Sequence, residues 1–179
     1  MFYLFLADGF EETEALAPLD MMRRAKIEVK TVGVTGEFVT GSHGVTVKAD
    51  LKPEEISFNN IDGVVLPGGM PGTVNLGKSE IVTKAAVYCA ENGKITAAIC
   101  AAPSVLGNLG ILKGKKATCF PGFEKELEGA TYTAAPVEID GNVITGKGAG
   151  CAILFGKAIV EKAVSAEAAN KVCGDMQCP

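Results

Sequence analysis

Residues 95–106 read Ile-Thr-Ala-Ala-Ile-Cys-Ala-Ala-Pro-Ser-Val-Leu. Five strand-prone or small residues end at Cys100, and Pro103 then stands where the first turn of a helix tolerates it, because its missing N–H would have no partner there. The stretch predicts a buried strand over 95–99 and a helix over 101–109, with one cysteine at the corner. A thiol in that position faces the positive end of a helix dipole and unpaired backbone N–H groups, both of which favour thiolate. An ordinary cysteine is simply a small buried hydrophobe. A cysteine at a strand-to-helix corner is a candidate nucleophile, because that corner exposes a side chain at the top of an α/β sheet.

Outward from this corner, short apolar runs alternate with helical patterns, the signature of βαβ units and a parallel sheet. The runs predict strands over 2–7, 27–34, 45–49, 63–67, 95–99, 115–119, 131–134 and 142–145. Helices are expected over 11–25, 53–56, 79–92, 101–109, 123–127, 149–164 and 166–172. Thr40-Gly41-Ser42-His43-Gly44 and Asp140-Gly141 read as hairpin turns, and the tail from Cys173 onward as frayed. A chain of 179 residues with 47% hydrophobic and 21% charged residues is expected to form one α/β domain, 1–179.

Several functions are excluded by composition. A net charge of −4 gives no footprint for nucleic acid. The opening Met-Phe-Tyr-Leu-Phe-Leu-Ala is far shorter than a membrane span and lacks a basic leader, so no membrane partner and a cytoplasmic location are expected. Six cysteines without a C-x-x-C, and His43 as the single histidine, then point to reduced thiols and no metal.

Three loops leave carboxyl ends of predicted strands, where ligands bind in doubly wound sheets: Asp8–Glu14, Pro67–Gly72 and the Cys100 corner. In Gly9-Phe10-Glu11-Glu12-Thr13-Glu14, the carboxylates of Glu11 and Glu12 complement a helix N-terminus. Glu14, followed by Pro18 and turned inward, would have its pKa raised in a dry cleft, and would then donate to sulfur or pass a proton. Gly68 and Gly69 allow backbone N–H groups to face a developing oxyanion, although a bare tight turn explains them as well. Residues 72–79, Gly-Thr-Val-Asn-Leu-Gly-Lys-Ser, match the P-loop pattern letter for letter. Against nucleotide binding, the match begins five residues beyond its strand and lacks the Mg²⁺-holding aspartate.

Taken together, Gly9–Glu14 with Met21-Met22-Arg23-Arg24-Ala25, Val64–Gly69, Ala97–Pro103 and Gly148-Ala149-Gly150 resemble the ThiJ/PfpI superfamily, in the branch of the parkinsonism-associated deglycase. The resemblance implies a flavodoxin-like three-layer sandwich, with a mostly parallel sheet and helices on both faces, assembled as a homodimer. It implies a nucleophile at Cys100, a glutamate beside its sulfur at Glu14, and a pocket faced by the amides of Gly68, Gly69 and Ala101. Phe120, His43 and Arg24 are expected behind these groups, with His43 approaching a partner subunit's pocket.

The implied activity is cofactor-free glyoxalase or deglycase chemistry on a small aldehyde or dicarbonyl. A redox-sensing, oxidative-stress or chaperone role through oxidation of Cys100 is the alternative, with Cys119 or Cys151 as candidate resolving thiols. Peptidase relatives carry a histidine directly after the nucleophile. Here that position is Ala101, which removes the base that amide hydrolysis needs.

Overall fold

The computed structural model describes residues 1–178. Its strands are β1 (Phe2–Leu6), β2 (Val29–Gly33), β3 (Phe38–Thr40), β4 (Thr46–Lys48), β5 (Gly63–Leu66), β6 (Ile95–Ile99), β7 (Lys116–Ala117), β8 (Thr131–Tyr132), β9 (Val137–Asp140) and β10 (Val143–Gly146). Six of them form one sheet in the order β2-β1-β5-β6-β10-β9. Every pairing in it is parallel except the β9–β10 edge hairpin, closed at Asp140-Gly141 as the sequence suggests. The helices are α1 (Glu12–Arg24), α2 (Gly72–Lys78), α3 (Glu80–Glu91), α4 (Pro103–Asn108), α5 (Ala152–Ala163) and α6 (Ala166–Asp175).

Strand β1 shows why the sheet is covered on both sides. Phe2, Leu4 and Leu6 pack with Met21 and Met22 of α1 and with Phe155 and Ile159 of α5. The alternate residues Tyr3, Phe5 and Ala7 pack with Leu76 of α2, Val82 and Ala86 of α3, and Leu106 of α4. Successive side chains of a strand point to opposite faces, so a strand apolar at every position needs a helical layer on each side. This is the flavodoxin-like three-layer sandwich. Among the described residues, no helix is long and apolar enough to cross a membrane.

Differences from the sequence reading have local causes. Residues 53–56 and 123–127 close into short 3₁₀ turns, over Pro53–Glu55 and Glu124–Glu126. Pro18 is accommodated inside α1, and the helix runs on to Arg24. The tail expected to fray instead continues as α6 to Asp175 and ends in a hydrogen-bonded cap. Strands β3 and β9 escape the sequence reading because each is short and half exposed.

The P-loop match falls on α2. The Thr73 and Asn75 N–H groups are spent on Gly69 O at 2.9 Å and Pro71 O at 3.0 Å. A working phosphate loop keeps such donors free for its ligand. The nucleotide reading is therefore set aside.

Candidate active site

The chain switches direction in the sheet between β1 and β5, and the loops leaving β1, β5 and β6 meet at their carboxyl ends. The first two loops are sewn together by backbone bonds. Glu11 N–H donates to Gly68 O at 2.9 Å, and Gly72 N–H to Gly9 O at 3.3 Å. Gly69 adopts φ +88°, with the backbone of residues 9–11 packed where a Cβ would stand, so only glycine fits that crossing.

Cys100 itself holds φ +66°, a left-handed conformation that a side chain bears at a cost of about 1–3 kcal/mol. Two bonds enforce it: Cys100 N–H donates to Gly146 O on β10 at 2.8 Å, and Phe120 N–H donates to Cys100 O, also at 2.8 Å. The corner is thus a strained elbow, held from both sides by segments distant in sequence. Phe120 acts through its backbone, while its ring is half exposed and lies over Gly148. Gly146 has no signal in the linear chain, because its function is a carbonyl.

Glu14 lies in the first turn of α1, fully buried. Its Oε2 accepts the Gly68 N–H at 2.9 Å. This corrects one expectation: the Gly68 amide fixes the acid and is not a free oxyanion donor. The amides that turn toward the Cys100 sulfur belong to Gly69 and Ala101. Glu14 interacts with the thiol, yet its Oε1 is buried without a well-formed hydrogen bond, one of three such side-chain atoms among the described residues.

Burial pushes the Glu14 carboxyl up to about 7, with a smaller contribution from the Glu11 charge; the thiol and the Gly68 amide pull the other way. Burial, the Glu14 charge and the contact with Glu14 push the Cys100 thiol up to about 12, against the Ala101 and Gly69 amides. The expectation of a thiol lowered by the helix dipole is overturned, because desolvation and a facing carboxylate outweigh a six-residue helix. The Glu14 charge disfavours the thiolate, so ionised sulfur is favoured when Glu14 holds a proton.

The remaining candidates stand elsewhere. Arg24 lies ten residues beyond Glu14, about 15 Å along the helix, where it pairs with Asp20 at 2.8 Å. Its expected place behind the site is a correction. His43, at the tip of the β3–β4 hairpin, is exposed and bound within its own chain, with Nδ1 at 2.9 Å from Glu12 Oε2 and 3.3 Å from Glu11 Oε2. Those bonds, the one to Glu12 foremost, raise its pKa.

From the sequence Glu12 is only a helix-terminal charge. In the fold it anchors the hairpin, also accepting the His43 N–H at 2.8 Å. Burial opposes its ionisation, but the hydrogen bonds from His43 and Val45 carry it down to about 2. Cys119 is sealed in the core, and burial pushes its thiol up to about 11, which removes it as a ready resolving thiol. Cys151 lies half-buried in the 3₁₀ turn before α5.

Gly68 gives the site its sharpest test. A Cβ there would lie 2.7 Å from both Glu14 Oε2 and Cys100 Cβ, and 3.0 Å from Ile99 O. Gly68→Ala is expected to cost about 1–3 kcal/mol of stability through overpacking, and to displace the acid from the thiol. Thermal unfolding and the pH profile of Cys100 alkylation measure the two effects; an alkylation profile unchanged from wild type would mean the substitution leaves the acid beside the thiol.

Comparison with known proteins places this site in a family. Residues 2–162 match the DJ-1/PfpI family. The chain is 35% identical over 174 residues to Protein DJ-1 homolog B of Arabidopsis thaliana, covering 96% of this chain and 40% of that protein. It thus spans about two fifths of that relative's length. A protein named deglycase from Thermococcus kodakarensis is 34% identical over 144 residues, covering 79% of this chain and 86% of its own. A crystal structure of a DJ-1 superfamily protein from Salmonella typhimurium, a cysteine-to-alanine mutant, superposes with a TM-score of 0.94 at 32% identity, covering 99% of this chain and 98% of that one. With a cysteine elbow, a buried glutamate and a glycine crossing set on this sheet, the chain belongs to the DJ-1/PfpI family.

Proposed function

We propose that the chain is a cofactor-independent enzyme acting on small 2-oxoaldehydes or their adducts, with Cys100 as nucleophile and Glu14 as acid and base. The observation that carries this reading is the single carboxyl beside the elbow thiol, buried, held at 2.9 Å by Gly68 N–H and pushed up to about 7. Proton transfer is most effective from a group whose pKa lies near the working pH. Archaeal relatives bearing the name deglycase agree with this reaction class.

Cys100 S–H passes its proton to the Glu14 carboxylate, and the sulfur adds to the aldehyde carbon to give a hemithioacetal. The Gly69 and Ala101 amides stabilise negative charge at this position. Glu14 returns that proton to the hemithioacetal oxygen and then, as carboxylate, moves the proton of the former aldehyde carbon to the neighbouring carbonyl carbon through an enediol, leaving a thioester. Water releases the 2-hydroxy acid and restores the thiol. The overall change is addition of one water to the oxoaldehyde, with no external oxidant or reductant. Ala101 supplies no base beside the thiol, so amide hydrolysis is not supported. A homodimer in the cytoplasm belongs to the same proposal.

Purified protein supplied with methylglyoxal, and no added thiol or metal, is expected to produce lactate catalytically. Consumption of aldehyde without lactate would overturn the proposal and leave simple scavenging.

One observation favours a second role for the same thiol. A protonated Glu14 has a donor to offer an oxidised sulfur, and a solved relative is titled Toxoplasma gondii DJ-1, oxidized. Selective gain of oxygen at Cys100 under mild peroxide supports it. Uniform oxidation of all six cysteines would remove it.

A further inference from the structure

Helix α6 ends in a Schellman cap. Gln177 takes φ +55° and donates its N–H to Gly174 O at 3.1 Å, while Cys178 N–H donates to Cys173 O at 2.9 Å. These are the 5→2 and 6→1 bonds of that motif, and they bring the third-last helical residue against the second residue past the cap. A hydrophobic contact usually fills this position. Here the two residues are Cys173 and Cys178, both half-buried and therefore reachable from solvent. The two thiols stand close enough for Cys178 to act on the ionisation of Cys173, as does Lys157 of α5. Cys173 also packs on the core layer formed by α1, α5 and α6, so the backbone that carries it is anchored. Neither cysteine belongs to the Cys100 site.

We propose that Cys173 and Cys178 form a reversible disulfide that staples the C-terminal cap of α6, with a low-molecular-weight disulfide as oxidant. Cys178, which lies outside the core cluster, attacks one sulfur of the small disulfide as thiolate and releases one small thiol. Cys173 then attacks the Cys178 sulfur of the mixed disulfide and releases the second. Two protein thiols lose two protons and two electrons, and one small disulfide becomes two small thiols. The cap brings the two residues together before any bond forms, so closure requires mainly that side-chain rotation carries the sulfurs to about 2.05 Å. Burial and the neighbouring Cys178 raise the Cys173 pKa, and the negative end of α6 adds no relief. Exchange should therefore quicken steadily as pH rises above neutrality. The reduced pair is a plain capping contact, whereas the oxidised pair fixes the last turn of α6.

Trypsin cleavage after Lys171 leaves both residues in one peptide, 172–179, which contains none of the other four cysteines. The full-length folded protein is exposed to oxidised glutathione, alkylated, digested without reductant and weighed. The peptide is expected to lose two hydrogens and to escape alkylation, and to do so about tenfold faster than in urea-unfolded protein, because the cap raises the effective concentration of one thiol at the other. Cys178→Ser should abolish the loss without changing turnover at Cys100. A glutathione adduct that persists on this peptide, two alkylated thiols, or equal rates in folded and unfolded protein would each overturn the proposal. The result does not depend on what Cys100 does.

Discussion

Cys100→Ala is expected to abolish the proposed formation of lactate from methylglyoxal, a fall of about 10³-fold or more to the uncatalysed background. The size follows from chemistry: no other described side chain at the site is a nucleophile, and the thioester cannot form without sulfur. Cys119 cannot substitute, because it is fully buried on the far side of the sheet among Ala102, Ala117 and Leu127. Alanine keeps the left-handed backbone at this position as strained as cysteine does, so unfolding temperature should change little. Steady-state lactate production with circular dichroism on the same samples gives both readings. A variant that retains a tenth of wild-type turnover removes the nucleophile from Cys100.

Glu14→Gln is the second large effect, and it runs in opposite directions for activity and stability. Glutamine can still accept the Gly68 N–H, so the loop stays in place, but it neither takes nor returns a proton. Turnover should fall about 10²–10⁴-fold, the usual contribution of a positioned acid–base. Wild-type activity should rise with the first ionisation of the thiol–carboxyl pair near pH 7. Any residual activity in the variant should instead follow the thiol alone, with its limb well above the free-thiol value of about 8.5 because burial still raises it.

The stability change has a definite pH dependence. The folded carboxyl sits at about 7 against an ordinary 4.5, so protonated Glu14 favours the fold fully below 4.5, and that advantage is lost as pH rises through 7. By pH 8 the buried charge costs wild type about 3 kcal/mol. Glutamine is free of this cost, so the variant should become relatively more stable as pH rises, by roughly 5–10 °C in Tm at pH 8. Urea unfolding at pH 4.5 and pH 8 measures the difference. A stability gap that is the same at both values means Glu14 carries no raised pKa.

This trade-off also explains why some of the site was legible in the chain and some was not. Cys100 could be found because a strand and a helix start are written in adjacent residues, and the corner between them follows. Glu14 could be found because α1 must begin after β1 at a place rich in carboxylates. The pKa of the thiol could not be read the same way. A helix dipole is a local property, but desolvation and the facing carboxylate come from segments far away in sequence, and they reverse the sign. Gly68 shows the same limit: adjacent glycines announce a turn, not whether a given N–H is free or bound. His43 and Arg24 are alike as exposed basic residues in the sequence, yet one ends beside Glu12 and the other beside Asp20 at the far end of α1.

By itself the sequence determined the mostly parallel sheet, the three loops at its carboxyl edge and the place of Cys100 at a strand-to-helix corner. Each of these rests on periodicity or on neighbours along the chain, which strand and helix geometry convert directly into position. The tertiary structure alone decided the protonation of the pair, the use of each backbone amide, the hairpin's anchor on Glu12 and the pairing of Cys173 with Cys178 across a helix cap. Those depend on which groups lose water together and which donors find acceptors first. Burial and hydrogen-bond partnership are set only when distant segments meet.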